Sequence, residues 1–181
     1  GQWVSFKPNI SLGNNYVSDL VIDDAGHKWI IMPRGNGILV FDDNGTLEDP
    51  SDDQYKKLVK GAGSGNLPSI DIYSIAKDKD GEIWVGTGEG VAVFYCPESI
   101  FSESGCDAQQ IAVEQDGYIG YLFETEEVRS IAVDGAGYLH VSWDHHNNEL
   151  RYARSKEPLS LELGEKMPMT GNLEHQRNQS I

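Results

Sequence analysis

Residues 140–154 read HVSWDHHNNELRYAR, and they hold the densest set of reactive side chains in the chain. His140, Asp144, His145 and His146 are followed closely by Arg151, Tyr152 and Arg154. Imidazole and phenol groups take up and deliver protons, and a guanidinium neutralises a carboxylate. Successive side chains on a strand point to opposite faces, so His145 and His146 share a direction only within a turn. The sequence DHHNN at 144–148 is turn-like. A His/Asp pair falls short of the three or four converging ligands a zinc site needs, so no metal is assigned. The plainer reading is a polar hairpin tip beside a packed His140 on an inner strand.

A second stretch also invites a chemical reading. Residues 77–94 read KDKDGEIWVGTGEGVAVF. Asp78, Asp80 and Glu82 alternate as calcium ligands do in loops, and Gly86, Gly88 and Gly90 resemble a phosphate-cradling loop. A phosphate loop, however, requires a lysine and a following helix, and GTGEGVAVF has neither. The calcium pattern lacks the closing glutamate and is not repeated elsewhere. What does repeat is the whole segment. VSDLVIDDAGHKWIIMPRGNGILVF (17–41), IYSIAKDKDGEIWVGTGEGVAVF (72–94) and VRSIAVDGAGYLHVSW (128–143) share one order. An apolar strand leads to an acidic turn with glycine, then to a second strand. Gly26, Gly81 and Gly137 are equivalent, Trp29 aligns with Trp84, and His140 takes their place in the third copy. The acidic residues are therefore turn formers that bond their own backbone, and glycine supplies positive φ. The tryptophans read as packing residues between neighbouring sheets.

The elements that must position these groups are strands. The 20 glycines cut the 181 residues into short runs rich in Val, Ile, Tyr, Phe and Trp. Strands are expected at 17–22, 28–32, 37–41 and 55–60; at 72–77, 82–87, 91–96 and 110–114; and at 128–133, 138–143 and 149–154. Residues 52–60 are the one modest helix candidate and equally an outer strand. A repeat of three or four antiparallel strands is a blade, and radial stacking of blades protects sheet edges. The chain is thus expected to be all-β, with about three four-stranded antiparallel units forming a partial or open β-propeller. Residues 1–163 form the repeat domain, with units at about 14–61, 70–115 and 126–163, and 164–181 form a polar tail. Open outer faces would expose the apolar residues of strands such as 72–76 and 128–133, so self-association is expected. The opening GQWVSFKPNI reads as an outer strand completing a neighbouring sheet.

Charge narrows the partners. The sequence has 29 acidic against 14 basic residues, a formal net charge of −15. Such a surface repels nucleic acid and anionic lipid, and no apolar run has the length of a membrane span. The chain starts at Gly1 with no export signal following, so its start does not define a location. Cys96 and Cys106 could bridge in an oxidising compartment, and geometry alone decides whether they do.

The first two copies, with the run through VEQDGYIGYLFETEEV, resemble the two-component-regulator propeller and the propeller protein of the type IX secretion system over about residues 2–136. Residues of about 130–174, from GYLHVSWDHHNNELRYAR to GNLE, are similar to the BNR-4 repeat family of sialidase-like propellers. The two resemblances meet near 133–137, as in a natural hybrid, a recombinant or a designed sequence. They imply a recognition or scaffold module of a Gram-negative envelope protein, periplasmic or at the cell surface. Such a module is expected to be non-catalytic, to need no cofactor, and to bind a glycan or a protein partner. Its candidate ligand-binding residues are His145, His146, Arg151 and Arg154. The alternatives are a carbohydrate-active enzyme and an inert fragment or hybrid. Some BNR-4 propellers are polysaccharide lyases, which makes His145, His146 and Tyr152 the catalytic positions to examine. A sialidase would need an arginine cluster drawn from more blades.

Overall fold

The computed structural model describes residues 5–6, 16–46, 49–111, 113–115, 118–120, 128–143, 151–158 and 167–168. Three four-stranded antiparallel sheets carry the architecture, each a simple meander. Unit 1 comprises β1 (Asp19–Ile22), β2 (Lys28–Ile31), β3 (Ile38–Asp42) and β4 (Gln54–Leu58). Unit 2 comprises β5 (Ile72–Lys77), β6 (Ile83–Thr87), β7 (Gly90–Phe94) and β8 (Gln109–Ile111). A short hairpin, β9 (Val113–Gln115) and β10 (Tyr118–Gly120), follows. Unit 3 comprises β11 (Val128–Val133), β12 (Leu139–Trp143), β13 (Arg151–Arg154) and β14 (Met167–Pro168). The helix candidate at 52–60 is the outer strand β4, pairing with β3 from Asp42↔Gln54 to Ile38↔Leu58. Within 164–181, Met167 and Pro168 pair with Tyr152 and Arg151 as the fourth strand of unit 3. Pairing there satisfies the outer backbone edge of β13, a tertiary demand that so polar a segment does not announce.

One turn chemistry builds all three units. Asp23 accepts hydrogen bonds from the backbone N–H groups of Ala25 (3.0 Å) and His27 (2.9 Å). Asp78 does the same for Asp80 and Glu82, and Asp134 for Ala136 and Tyr138. Glycine closes each turn at φ 94°, 89° and 92° for Gly26, Gly81 and Gly137, a region that side chains with a Cβ rarely enter. The second carboxylate oxygen reaches six residues on. Trp29 Nε1 donates to Asp23 at 2.9 Å, Trp84 Nε1 to Asp78 at 2.7 Å, and His140 Nε2 lies 3.1 Å from Asp134. A buried indole N–H is thereby satisfied within its own hairpin, which lets the ring face the next sheet without an orphaned donor.

The units stack through a repeating pair of faces. The far side of unit 1 presents Trp29, Ile31, Ile38, Val40 and Leu58, and they pack against Ile75, Ile83, Val85, Ala92 and Phe94 of unit 2. The far side of unit 2 presents Trp84, Val91, Val93 and Ile111 to Ile131, Leu139, Val141 and Ala153 of unit 3. Trp29 and Trp84 are packing residues between sheets, as their spacing predicts; the Trp29 ring sits 4.9 Å from that of Phe94. The first strand of unit 2, β5, lies against β1 on one side and β11 on the other, so the first strands form the inner edge. Fully burying each large aliphatic or aromatic side chain in these layers contributes about 1.5–3 kcal/mol. The expectation that strands 72–76 and 128–133 expose their apolar residues is overturned, because Ile72, Ile75 and Ile131 lie buried between units. The exposed apolar strand is β1. The ring of Phe6 packs 4.9 Å from that of Phe41 in unit 1; the rest of 1–10 lies outside the described residues.

Cys96 and Cys106 are joined in a disulfide, Cα–Cα 5.7 Å, which closes the β7–β8 connection. This connection carries a 3-10 turn, Pro97–Ser99, and it clamps unit 2 onto unit 1. Ile100 enters the first core layer, its carbonyl accepts from Lys56 Nζ at 2.8 Å, and the ring of Phe101 meets that of His27 edge-on. Next to the disulfide, Asp107 accepts from the N–H groups of Gly63 (2.6 Å) and Gly65 (2.9 Å).

Candidate functional site

Units 1 and 2 commit their turn carboxylates to their own cores, whereas unit 3 does not. His140 stands where tryptophan stands in the other units, and it is only half-buried. On its sheet face, Ser142 pairs across to Tyr152 and His140 to Arg154. Tyr152 and Arg154 occupy the register positions of the buried Val91 and Val93 in unit 2. This face of unit 3 is therefore polar where its counterparts are apolar.

The side chains on it are organised. The Tyr152 hydroxyl lies 2.7 Å from His140 Nδ1, and His140 Nε2 lies 3.1 Å from Asp134 Oδ2. This contact and the turn N–H groups lower the Asp134 carboxyl to about 2, so it is ionised at neutral pH. In the His140 tautomer that donates Nε2–H to this carboxylate, Nδ1 accepts the Tyr152 O–H. The arrangement is an aspartate–histidine–tyrosine relay on an open sheet face. Beside it the Arg154 guanidinium lies over the Tyr138 ring at 4.3 Å, a cation–π contact at an exposed site. Chemically the face offers a phenol aimed at an imidazole, an exposed cation and an aromatic ring.

Of the residues singled out in sequence, Tyr152 and Arg154 come together here. Arg151 opens β13 opposite Trp143 and Pro168. His145 and His146 fall in 144–150, outside the described residues. In the sequence Asp134 reads as a turn former, and His140 as a member of the reactive cluster or a packed side chain; the relay joins the two. Its signal was present in the chain, as aspartate precedes the Trp or His by six positions in all three copies.

A second electrostatic feature lies in unit 2. Burial and the neighbouring Asp78 and Asp80 carboxylates push Glu82 up to about 7. Burial and the charges of Glu82 and Asp78 also raise the nearby Tyr95 phenol. Among the described residues no three or more His, Cys, Asp or Glu side chains are grouped to hold a metal ion. No helix among them is long and apolar enough to cross a membrane.

Comparison with known proteins places this geometry. Residues 109–180 match the BNR repeat-containing family, and residues 66–89 match the two component regulator propeller. No curated protein sequence matches significantly. Among solved structures, the chain is similar to PorZ, an essential bacterial surface component of the type-IX secretion system of Porphyromonas gingivalis. The two share 20% identity and a TM-score of 0.68, over 84% of this chain and 21% of PorZ. It is also similar to the extracellular domain of BT4673 from B. thetaiotaomicron, with 18% identity, 76% and 16% of the two chains and a TM-score of 0.49. The chain spans about a fifth of the length of PorZ. With three stacked four-stranded meanders and no closed ring among the described residues, the protein has the fold of a partial β-propeller.

Proposed function

We propose that the chain is a non-catalytic recognition or scaffold module of a Gram-negative envelope protein, periplasmic or at the cell surface, that binds a glycan or a protein partner. The observation that carries this reading is the contrast between units: two bury their repeat residues in sheet-to-sheet packing, and the third turns polar groups outward at the same positions. Tyr138, Tyr152 and Arg154 suit a sugar ring and an anionic substituent, and Arg151, His145 and His146 adjoin them in sequence. Titration calorimetry with a soluble uronate-containing polysaccharide and with a neutral one tests it. Binding without turnover, weakened at least about tenfold by Arg154→Ala or Tyr152→Ala, is expected for loss of a charge-assisted contact. Binding unaffected by both variants refutes this placement of the ligand. No binding to either polysaccharide removes the glycan arm and leaves a protein partner.

The relay itself favours a second reading, an eliminating polysaccharide lyase. Elimination requires a base for a proton next to a uronate and a cation for its carboxylate. Tyr152, activated through His140, and Arg154 match those tasks, with His145 and His146 as further positions. New absorbance from an unsaturated sugar product, lost in Tyr152→Phe and in His140→Gln, would establish this reading over the first.

A further inference from the structure

Three residues other than glycine hold a positive φ among the described residues: Arg34 (65°), Asn44 (46°) and Asn66 (51°). Asparagine enters this region readily, because its short amide can bond the local backbone; arginine has no such compensation. Arg34 stands in the β2–β3 hairpin, and the hairpin is built to hold it there. Asn36 Nδ2 donates to the carbonyls of Pro33 (3.1 Å) and Arg34 (3.0 Å). Met32 N–H donates to Gly37 O at 3.1 Å, and Gly37 N–H to Ile70 O at 3.0 Å. Backbone strain fixed in this way by its surroundings collects at ligand clamps and other functional sites.

What the strained residue presents is a cation. The exposed Arg34 guanidinium lies over the ring of Tyr16 at 4.6 Å, and Tyr16 and Val17 are 57% and 63% exposed. Lys28, Lys60 and Lys77 pair with Asp43 (2.7 Å), Glu89 (2.7 Å) and Asp24 (2.6 Å). Among the described residues no carboxylate lies within ion-pair distance of Arg34. In a chain of net charge −15, where acids outnumber bases about two to one, such a guanidinium stands apart. Asp71 is close by. A Cβ added at Gly35 would lie 3.6 Å from its Oδ1, and its carbonyl accepts from Gly88 N–H of the β6–β7 hairpin at 2.9 Å. Tyr16, Arg34 and Asp71 thus gather across units 1 and 2, at the end of the sheets opposite to the Asp–Gly turns. Arg154, paired with His140 on unit 3, belongs to a different place.

We propose that Arg34, Tyr16 and Asp71 form a second carbohydrate site, one that takes a uronate residue. Its carboxylate meets the Arg34 guanidinium, its ring lies against Tyr16, and a hydroxyl donates to Asp71. The proposal rests on the glycan arm of the functional reading and adds a site separate from unit 3. An acidic peptide fits less well, because its side chains bring further carboxylates towards Asp71 and no hydroxyl to donate.

Titration calorimetry on the Arg154→Ala protein tests it with three probes: an oligoglucuronate, a cello-oligosaccharide as the same kind of chain without carboxylates, and an oligoglutamate. The oligoglucuronate should bind at least about tenfold more tightly than either of the others. Arg34→Asn and Tyr16→Ala should each weaken it at least about tenfold, as for loss of a charge-assisted or stacking contact. A thermal melt separates a ligand role from a structural one. Asparagine relieves the strain at φ 65°, so Arg34→Asn should hold Tm within about 2 °C of its parent or raise it. Four results overturn the proposal: no oligoglucuronate binding in the Arg154→Ala protein, binding unchanged by Arg34→Asn, an equal or better fit of the cello-oligosaccharide or oligoglutamate, and a larger fall in Tm, since Arg34 would then be holding the fold. The converse background keeps the two sites apart. In Arg34→Asn, oligoglucuronate binding that responds to Arg154→Ala reports unit 3 alone, so either site can fail while the other stands.

Discussion

The repeated aspartate should matter unequally in its three copies, and the inequality can be worked from the structure. Asp23 is buried and serves four donors: the N–H groups of Ala25 and His27, His27 Nδ1 at 2.8 Å and Trp29 Nε1. In Asp23→Ala the two backbone donors face a surface turn that water can reach, at about 0.5–1 kcal/mol each. Trp29 is fully buried in the first core layer, so its N–H is orphaned at about 1–3 kcal/mol. The sum is about 2–5 kcal/mol, and with a Tm change of about 2–4 °C per kcal/mol the melt should drop by roughly 10 °C. Asp134→Ala removes the same backbone bonds, but the Asp134 and His140 side chains are 37% and 28% exposed. Water replaces the lost acceptor there, so a clearly smaller loss is expected. Urea melts followed by tryptophan fluorescence provide the assay, read as midpoint at constant m. Asp23→Asn, which keeps an acceptor for the indole, should recover part of the loss. If Asp23→Ala costs no more than Asp134→Ala, the buried indole bond is not what holds the repeat, and the argument fails.

Other outcomes follow from particular groups. Glu82 has a folded pKa raised to about 7, so the folded state holds its proton between about pH 4.5 and 7 while the unfolded chain has lost it. Its contribution therefore turns destabilising as pH rises through that window, and Glu82→Gln should flatten the Tm–pH profile there. Asp134 has a depressed pKa, so its contribution is present above about pH 4 and lost as pH falls towards 2. Asp134→Asn should remove that acid-limb dependence, read by acid titration of the far-UV signal. Reducing Cys96–Cys106, a separation of 10, should cost about 2–3 kcal/mol on loop entropy alone. Denaturant melts with and without reductant measure it, and proteolysis at 97–105 should rise with it. In Gly65→Ala a Cβ at φ +106° would sit 2.8 Å from Leu58 Cβ, so strain and overlap should cost about 2–4 kcal/mol by thermal melt.

The sequence by itself determined what local chemistry can specify. Asp and Gly in a fixed order make the turn wherever they occur, because the carboxylate reaches its own backbone and glycine alone enters positive φ freely. Alternating apolar residues around that turn make the strands, and recurrence three times makes the stack. Those signals sufficed for an all-β partial propeller with Trp29 and Trp84 between its sheets. What the tertiary structure decided lies between segments. Leu20 and Ile75 look alike in sequence, each in an apolar strand before an acidic turn, yet one is exposed and the other buried, because only Ile75 has a unit in front of it. The two cysteines pair because the β7–β8 connection folds back to 5.7 Å. Met167–Pro168 becomes a strand because β13 has an edge to fill. His140 and Tyr152, 12 residues apart, meet because register places them diagonally on one face. Periodicity tells a side chain which face it occupies; it does not tell what stands opposite that face, and burial and chemistry here are set by what stands opposite.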